Sequence, residues 1–298
     1  MSIEEYRNSN RIEQLYHKGQ KNIWDGREYL QACIEKNSGI SLTPEKKNAL
    51  GNIFSTILWG ELAAWKISSI LAARFEDEPA RMAATSQAHD EARHFYVMRD
   101  YLRFLGIETA DVQGMKSHSQ DFLQSIMEAD TTPKMILGMQ MMVEPMALTL
   151  FKVVRERNIE PVLSDLLLMY EKDEARHVAL GTLYLPKMMS EMGPIAKADL
   201  LVWQFFRYMK QFEMLKELKD DFRALDIPPR EVFLLARKKQ AKTMELLSEE
   251  MGERYPLMDT MLKFIDFRNE IDFPEEESKY LDRLRAAARK TYLKQPSK

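Results

Sequence analysis

The chain has 298 residues, 45% of them apolar and 30% charged, with a formal net charge of −3. That balance gives no electrostatic drive toward nucleic acid or acidic lipid. The single cysteine, Cys33, excludes an internal disulfide, a cysteine-held iron–sulfur cluster and a thiolate zinc cage, so any metal chemistry must use oxygen and nitrogen donors.

The opening MSIEEYRNSN lacks the charged and apolar regions of a signal peptide. No uninterrupted apolar run of about 18 residues occurs. The expectation is a cytoplasmic protein with no membrane span and no nucleic-acid partner. Gly and Pro are scarce while Leu, Met, Ala, Glu and Lys abound, which favours helices throughout.

Residues 1–43 read as short helices and connections, with a turn at Asn37-Ser38-Gly39. Thr43-Pro44-Glu45 is a helix start: a hydroxyl at the N-cap, proline in the first turn, then an acid. The helix it opens should run to about Phe75. Glu76-Asp77-Glu78-Pro79 turns the chain into a second helix ending near Gly106. A long connection through Gly114 carries a short helix around Gln120 to Ala129. Thr132-Pro133 starts a third long helix reaching about Asn158, and Pro161 opens a fourth that ends before Gly193-Pro194. Further helices are expected at 196–225, 229–250, 256–269 and 275–294. No flexible linker intervenes, so 1–298 reads as a single domain with a core at about 44–190 and accessory helices at 1–43 and 195–298.

An internal repeat organises the core. Asp90-Glu91-Ala92-Arg93-His94 recurs as Asp173-Glu174-Ala175-Arg176-His177, an offset of 83 that also maps Glu61 onto Glu144 and Tyr101 onto Tyr184. Glu-x-x-His places a carboxylate and an imidazole one turn apart on one helix face. Each copy follows an isolated glutamate by 30 residues, and a turn bisects each interval. At ~1.5 Å per residue, both glutamates of a hairpin then lie roughly 22 Å from its turn, at one depth.

All four glutamates fall on apolar stripes. These are Phe54, Leu58, Trp65 and Ser68 around Glu61; Leu137, Met141, Leu148 and Phe151 around Glu144; Phe95 and Met98 beside Glu91; and Leu167, Val178 and Gly181 beside Glu174. Burying four unpartnered carboxylates is prohibitive. Two divalent cations would neutralise them, with the imidazoles completing the coordination. The expected ligands are therefore Glu61, Glu91, His94, Glu144, Glu174 and His177.

One Glu from each of two helices plus Glu-x-x-His from two others resembles the ferritin-like di-iron carboxylate proteins. The Asp-Glu-x-Arg-His form looks most like the hydroxylases of bacterial multicomponent monooxygenases and is also similar to ferritin-like oxidases, arylamine oxygenases and soluble acyl carrier protein desaturases. The whole pattern resembles the ribonucleotide reductase small-subunit and monooxygenase group. The resemblance implies an all-α, ferritin-like four-helix bundle with a long crossover. It also implies a homodimer and two iron ions, with Mn/Fe equally compatible with carboxylate ligands. Asp90 is suited to orient His177 and Asp173 to orient His94, with Arg93 and Arg176 placed to hold those aspartates. Tyr170, one turn before Glu174, is expected to pack in the core. Gln87, its equivalent before Glu91, is suited to donate to the ligands.

The chain departs from particular branches. Met98 stands where a radical tyrosine would, Leu148 where monooxygenases carry threonine, and Tyr170 where arylamine oxygenases carry a third histidine. Pro145, directly after Glu144, should distort the third helix. Ala64, Ala147 and Gly181 would leave room for an apolar substrate. The expected function is O2 activation for oxidation of a small, apolar or aromatic organic substrate, with an electron-donor protein such as a ferredoxin or reductase. The alternatives are an iron-handling ferroxidase or storage protein, and a ligand-binding metalloprotein without turnover.

Overall fold

Capping side chains set the starts of three bundle helices. Thr43 accepts from the Lys46 N–H at the head of α3 (Pro44–Arg74), and Asp77 from the Ala80 N–H at α4 (Glu78–Phe104). Glu160 accepts from the Val162 and Leu163 N–H groups at α8 (Pro161–Ser190). Each cap is followed by a proline in the first turn, where its missing N–H costs nothing. In this computed structural model, which describes residues 3–37, 42–109, 116–251, 256–276 and 278–293, every described element is helical.

The third bundle helix is not continuous. It comprises α6 (Thr132–Gly138), a π-turn (Met139–Val143) and α7 (Glu144–Glu156). The Glu144 N–H reaches back five residues to Met139 O, and Pro145 has no N–H to offer Met141, so the α-helical ladder cannot run through. The distortion falls at the ligand-type residue Glu144 itself.

The bundle consists of two hairpins, α3 with α4 and α7 with α8, and α4 and α8 pack directly on one another. The crossover between hairpins carries α5 (Ser117–Met127), which packs on α3 and on α9 (Pro194–Glu217). Two N-terminal helices, α1 (Ile3–Lys21) and α2 (Gly26–Lys36), lie across α4 and α8. Their approach is close: a Cβ on Gly19 would sit 2.3 Å from Ser86 Oγ, and one on Gly26 2.3 Å from Val97 Cγ2. α10 (Lys219–Ala224) covers α3, and α11 (Pro229–Met251) covers α7 and α8. α12 (Pro256–Asp272) contacts α9, α11 and α13 (Tyr280–Ala288), which a second π-turn (Arg289–Leu293) extends.

Several expected bounds move. The N-terminal region holds helices of 19 and 11 residues, longer than expected. The helix expected at 196–225 breaks at Leu218 (φ −89°, ψ 5°), a buried residue. The last helix starts at Tyr280, beyond Pro274. Ser38, Gly39 and Gly114 lie outside the described residues. Thr132–Glu156 is long and apolar enough by composition to cross a membrane, but 83% of its most apolar window is buried in the bundle core.

Candidate metal centre

Four helices deliver ligand-type side chains to one level of the interior. Glu61 comes from α3, Glu91 and His94 from α4, Glu144 from the first residue of α7, and Glu174 and His177 from α8. Glu61 is the most exposed of the six, at 5%. They form two overlapping donor groups: Glu61, Glu91, His94 and Glu174, and Glu91, Glu144, Glu174 and His177, with donor atoms in each within 4.8 Å of one another. Glu91 and Glu174 belong to both groups and so lie between two positions, which Glu61–His94 and Glu144–His177 close at the ends.

Both imidazoles turn Nδ1 inward. His94 Nδ1 lies 3.3 Å from Glu61 Oε2, 3.3 Å from Glu91 Oε2 and 3.1 Å from Glu174 Oε1. His177 Nδ1 lies 2.9 Å from Glu91 Oε1 and 2.9 Å from Glu174 Oε2. The outward Nε2 atoms face aspartates on the opposite helix, His94 to Asp173 Oδ2 at 3.2 Å and His177 to Asp90 Oδ2 at 3.4 Å. An Nε2–H donated to a carboxylate leaves the Nδ1 lone pair for a metal.

The residues fit a pair of metal ions. His94 Nδ1, Glu91 Oε2 and Glu174 Oε1 are buried without a hydrogen-bond partner, a costly state that a cation removes. Four carboxylates balance two divalent charges, and a set of carboxylate oxygens with imidazoles suits iron or manganese.

Burial is the largest influence on every ionisable group here. It raises Glu61 and Glu144 well above the usual carboxylate range, and the neighbouring carboxylates push Glu144 the same way. Burial also acts to raise Glu91 and Glu174, but the imidazoles overcome it and hold both below that range. For His94 and His177 burial favours the neutral ring, yet the surrounding carboxylates raise both well above the usual value. In the metal-free site Glu61, Glu144, His94 and His177 are thus biased toward their protonated forms.

The aspartates and arginines form a closed square beneath the donors. Arg93 Nη2 donates to Asp90 Oδ1 at 2.5 Å and to Asp173 Oδ2 at 2.9 Å. Arg176 Nη2 donates to Asp90 Oδ2 and Asp173 Oδ1, each at 2.8 Å. Both arginines are buried. Although burial opposes it, the imidazoles and Arg176 hold Asp90 and Asp173 below the ordinary carboxylate range.

Gln87 Nε2 donates to Glu91 Oε1 at 3.1 Å and to Glu144 Oε1 at 2.9 Å. Tyr170 stacks on His94 (centroids 4.2 Å apart, planes at 18°) and donates its hydroxyl to the His94 carbonyl at 2.7 Å.

The sequence reading missed two residues. Trp24, in the link between α1 and α2, donates its indole N–H to Asp173 Oδ2 at 2.8 Å, and the Arg93 guanidinium lies 4.7 Å over its ring. It is 149 positions from its partner, with no local motif to mark it. Gln140, in the π-turn, donates to Gln87 Oε1 at 3.1 Å. Its only sequence signal is a lone amide in the apolar run Met139–Val143.

A cavity of about 30 Å³ adjoins the donors, lined by Glu61, Glu144, Ala64, Ala147, Val143 and Met214 among others. Thr56 lines both this cavity and a surface groove of about 410 Å³ beside Lys47 and Lys116. Gly181 does not line the cavity, contrary to expectation. A Cβ there would lie 2.6 Å from Gln140 Cβ and 2.9 Å from Met141 Sδ, so its smallness lets α8 meet the π-turn. Trp65 also departs from the expected stripe, being 39% exposed. The buried line on α3 runs through Ala64 and Ser68, leaving Trp65 at its edge. Phe95, Leu148 and Val178 are only partly buried.

The fold is a ferritin-like helical one, and its two overlapping donor groups could each hold a metal ion. No family model matches the chain, and no curated protein matches it by sequence. Among solved structures it is similar to an R2-like ligand-binding oxidase with an aerobically reconstituted Mn/Fe cofactor (19% identity, 79% of this chain and 92% of that one, TM-score 0.60). A mutant of that oxidase with an Fe/Fe cofactor matches at 18% identity, covering 79% and 92% of the two chains with TM-score 0.60. A Synechococcus protein with aldehyde deformylating oxidase activity matches at 16% identity, 69% and 92% coverage and TM-score 0.58. At these identities the likeness concerns the fold.

Proposed function

We propose that this protein is an O2-activating di-iron oxidoreductase, an oxidase or oxygenase, acting on a small apolar or aromatic organic substrate. The observation that carries the reading is the buried six-residue donor cluster opening onto a mostly apolar cavity between Glu61 and Glu144. The oxidase character of the similar structures supports it. Mn/Fe is the alternative metal pair.

When bound, the metal pair would supply electrons to O2. The chain's own residues do the rest. Asp90 and Asp173 fix the imidazole tautomers, and Arg93 and Arg176 hold those aspartates in place. The covering helices keep bulk water from the donors. At about 30 Å³ the cavity holds little more than a water or a diatomic gas. An organic substrate therefore enters by displacing the adaptable Met146 and Met214 on its wall. Sustained turnover takes electrons from a ferredoxin or reductase, and a homodimer is the assembly proposed.

The test is anaerobic loading with Fe(II), then rapid mixing with O2. Two irons per chain and a visible absorption on mixing are expected, with no continuing mineral growth when excess iron is supplied. Continued growth of an iron mineral would decide for storage. One structural zinc per chain, with no response to O2, would remove the oxidase reading.

A further inference from the structure

The two ends of the donor cluster are related by the repeat but not held alike. At one end, Glu144 Oε1 accepts from Gln87 Nε2 at 2.9 Å, and the same amide donates to Glu91 Oε1 at 3.1 Å. Gln87 is oriented in turn by Gln140, whose Nε2 donates to Gln87 Oε1 at 3.1 Å. Metal-bound carboxylates are ionised and only accept, so Gln87 turns its NH2 toward them and its carbonyl toward Gln140. Both glutamines are essentially fully buried, so water does not substitute for either link.

At the other end, among the described residues, Glu61 has no such tether. Its close polar neighbour is His94 Nδ1 at 3.3 Å, and its side chain borders the cavity. The repeat explains the contrast. Residue 140 corresponds to Ile57, which has no amide, and residue 87 to Tyr170, which packs on His94 and bonds a backbone carbonyl.

The π-turn brings Gln140 into reach. Its extra residue per turn rotates Gln140 relative to a regular helix, and Gly181 gives α8 the clearance to accept that bulge. Gln140 Oε1 has no partner. A buried amide with an orphaned carbonyl is a net cost to the fold, so its presence is best explained by what its NH2 does.

We propose that Gln140 is a positioning residue for the metal pair: acting through Gln87, it pins Glu144 and Glu91, so that of the two end carboxylates Glu144 is fixed and Glu61 is the one that moves. This rests on the two-metal reading above. Both end carboxylates border the cavity, so the motion of Glu61 takes place where substrate arrives.

The test uses the metal alone. Mn(II) titration, with free Mn(II) counted by electron paramagnetic resonance, is run on the full chain and on Gln140→Met, which keeps the volume and removes the donor. Each is repeated in Glu61→Ala, which disables one position, and in Glu144→Ala, which disables the other. Gln140→Met should weaken Mn(II) binding about tenfold in the Glu61→Ala background, at the low end of losses for groups behind a ligand. In the Glu144→Ala background the loss should be smaller, because Gln87 then holds only Glu91, and the melting temperature of the metal-free protein should not fall. An equal loss in both backgrounds, or no loss in either, overturns the proposal. A wild-type chain that binds no second Mn(II) or Fe(II) defeats the two-metal reading itself, which is a separate result.

Discussion

Trp24 and Asp173 join the N-terminal helices to the candidate metal centre: the indole N–H meets Asp173 Oδ2 at 2.8 Å, and the same oxygen faces His94 Nε2 at 3.2 Å. Among the described residues, the repeat-related Asp90 receives no indole; its hydrogen-bond partners are Arg93, Arg176 and His177, with His89 Nδ1 at 3.8 Å. The helices before residue 43 thus act on one of the two positions. Trp24→Phe keeps most of the ring's contacts with Tyr29 and Tyr170 and removes only the donor. It should weaken metal binding at the His94 position by less than tenfold, because Asp173 keeps both arginines. Asp173→Ala, which removes the group that orients His94, should cost roughly 10–100-fold. Metal titration of both variants checks the order; equal effects would mean that the indole bond carries the whole influence of Asp173.

The square of Arg93, Arg176, Asp90 and Asp173 predicts a marked stability cost. Arg93→Met leaves two buried aspartates short of positive charge, and breaking a buried ion pair from one side costs about 3–5 kcal/mol. Arg93 is only 4% exposed, so solvent offers little compensation. Urea unfolding of the metal-free chain should show that loss as a lower midpoint with an unchanged slope. A loss below about 1 kcal/mol would place Arg93 with ordinary surface pairs.

Much of this centre was legible because local rules carry over into the folded chain. Equal spacing about two turns put Glu61, Glu91, Glu144 and Glu174 at one level, and Asp-before-Glu put each aspartate opposite the other helix's histidine. What escaped depends on irregular or distant backbone. The apolar periodicity suggested a continuous helix over Thr132–Glu156, and Pro145 marked where it would distort but not how. Without the π-turn, neither the reach of Gln140 nor the packing of Gly181 against it could be placed. Trp24 escaped because its partner lies on another helix, beyond any periodic pattern.

Metal loading should be coupled to proton release. Burial shifts Glu61 and Glu144 toward their protonated forms, and the surrounding carboxylates, against burial, shift His94 and His177 the same way. Ligation requires neutral imidazole and ionised carboxylate, so each ion displaces protons, and affinity should rise with pH and fall as the solution is acidified. Calorimetric titration of Mn(II) in two buffers of different ionisation enthalpy measures the protons released. A count of zero, with affinity flat between about pH 6 and 8, would show the donors already deprotonated in the metal-free chain.

Two substitutions separate the cavity from the helix contact that the sequence reading had merged. Ala147 lines the cavity beside Glu144, so Ala147→Phe should fill it while both metal ions still bind. Overpacking costs typically 1–3 kcal/mol, which a melting curve checks. Product formation should fall at least tenfold, on the order of the ~1.4 kcal/mol that one decade represents, with the reaction of the loaded protein with O2 alone largely kept. Gly181→Leu should behave differently. Its side chain would run into Gln140 and Met141, displace the π-turn and disturb Glu144, so metal loading itself should drop. Iron analysis and product assay on the pair read the two effects independently. Full product formation by Ala147→Phe would place the reacting substrate on another face of the metal pair, and full metal loading in Gly181→Leu would show that the π-turn can shift without moving Glu144.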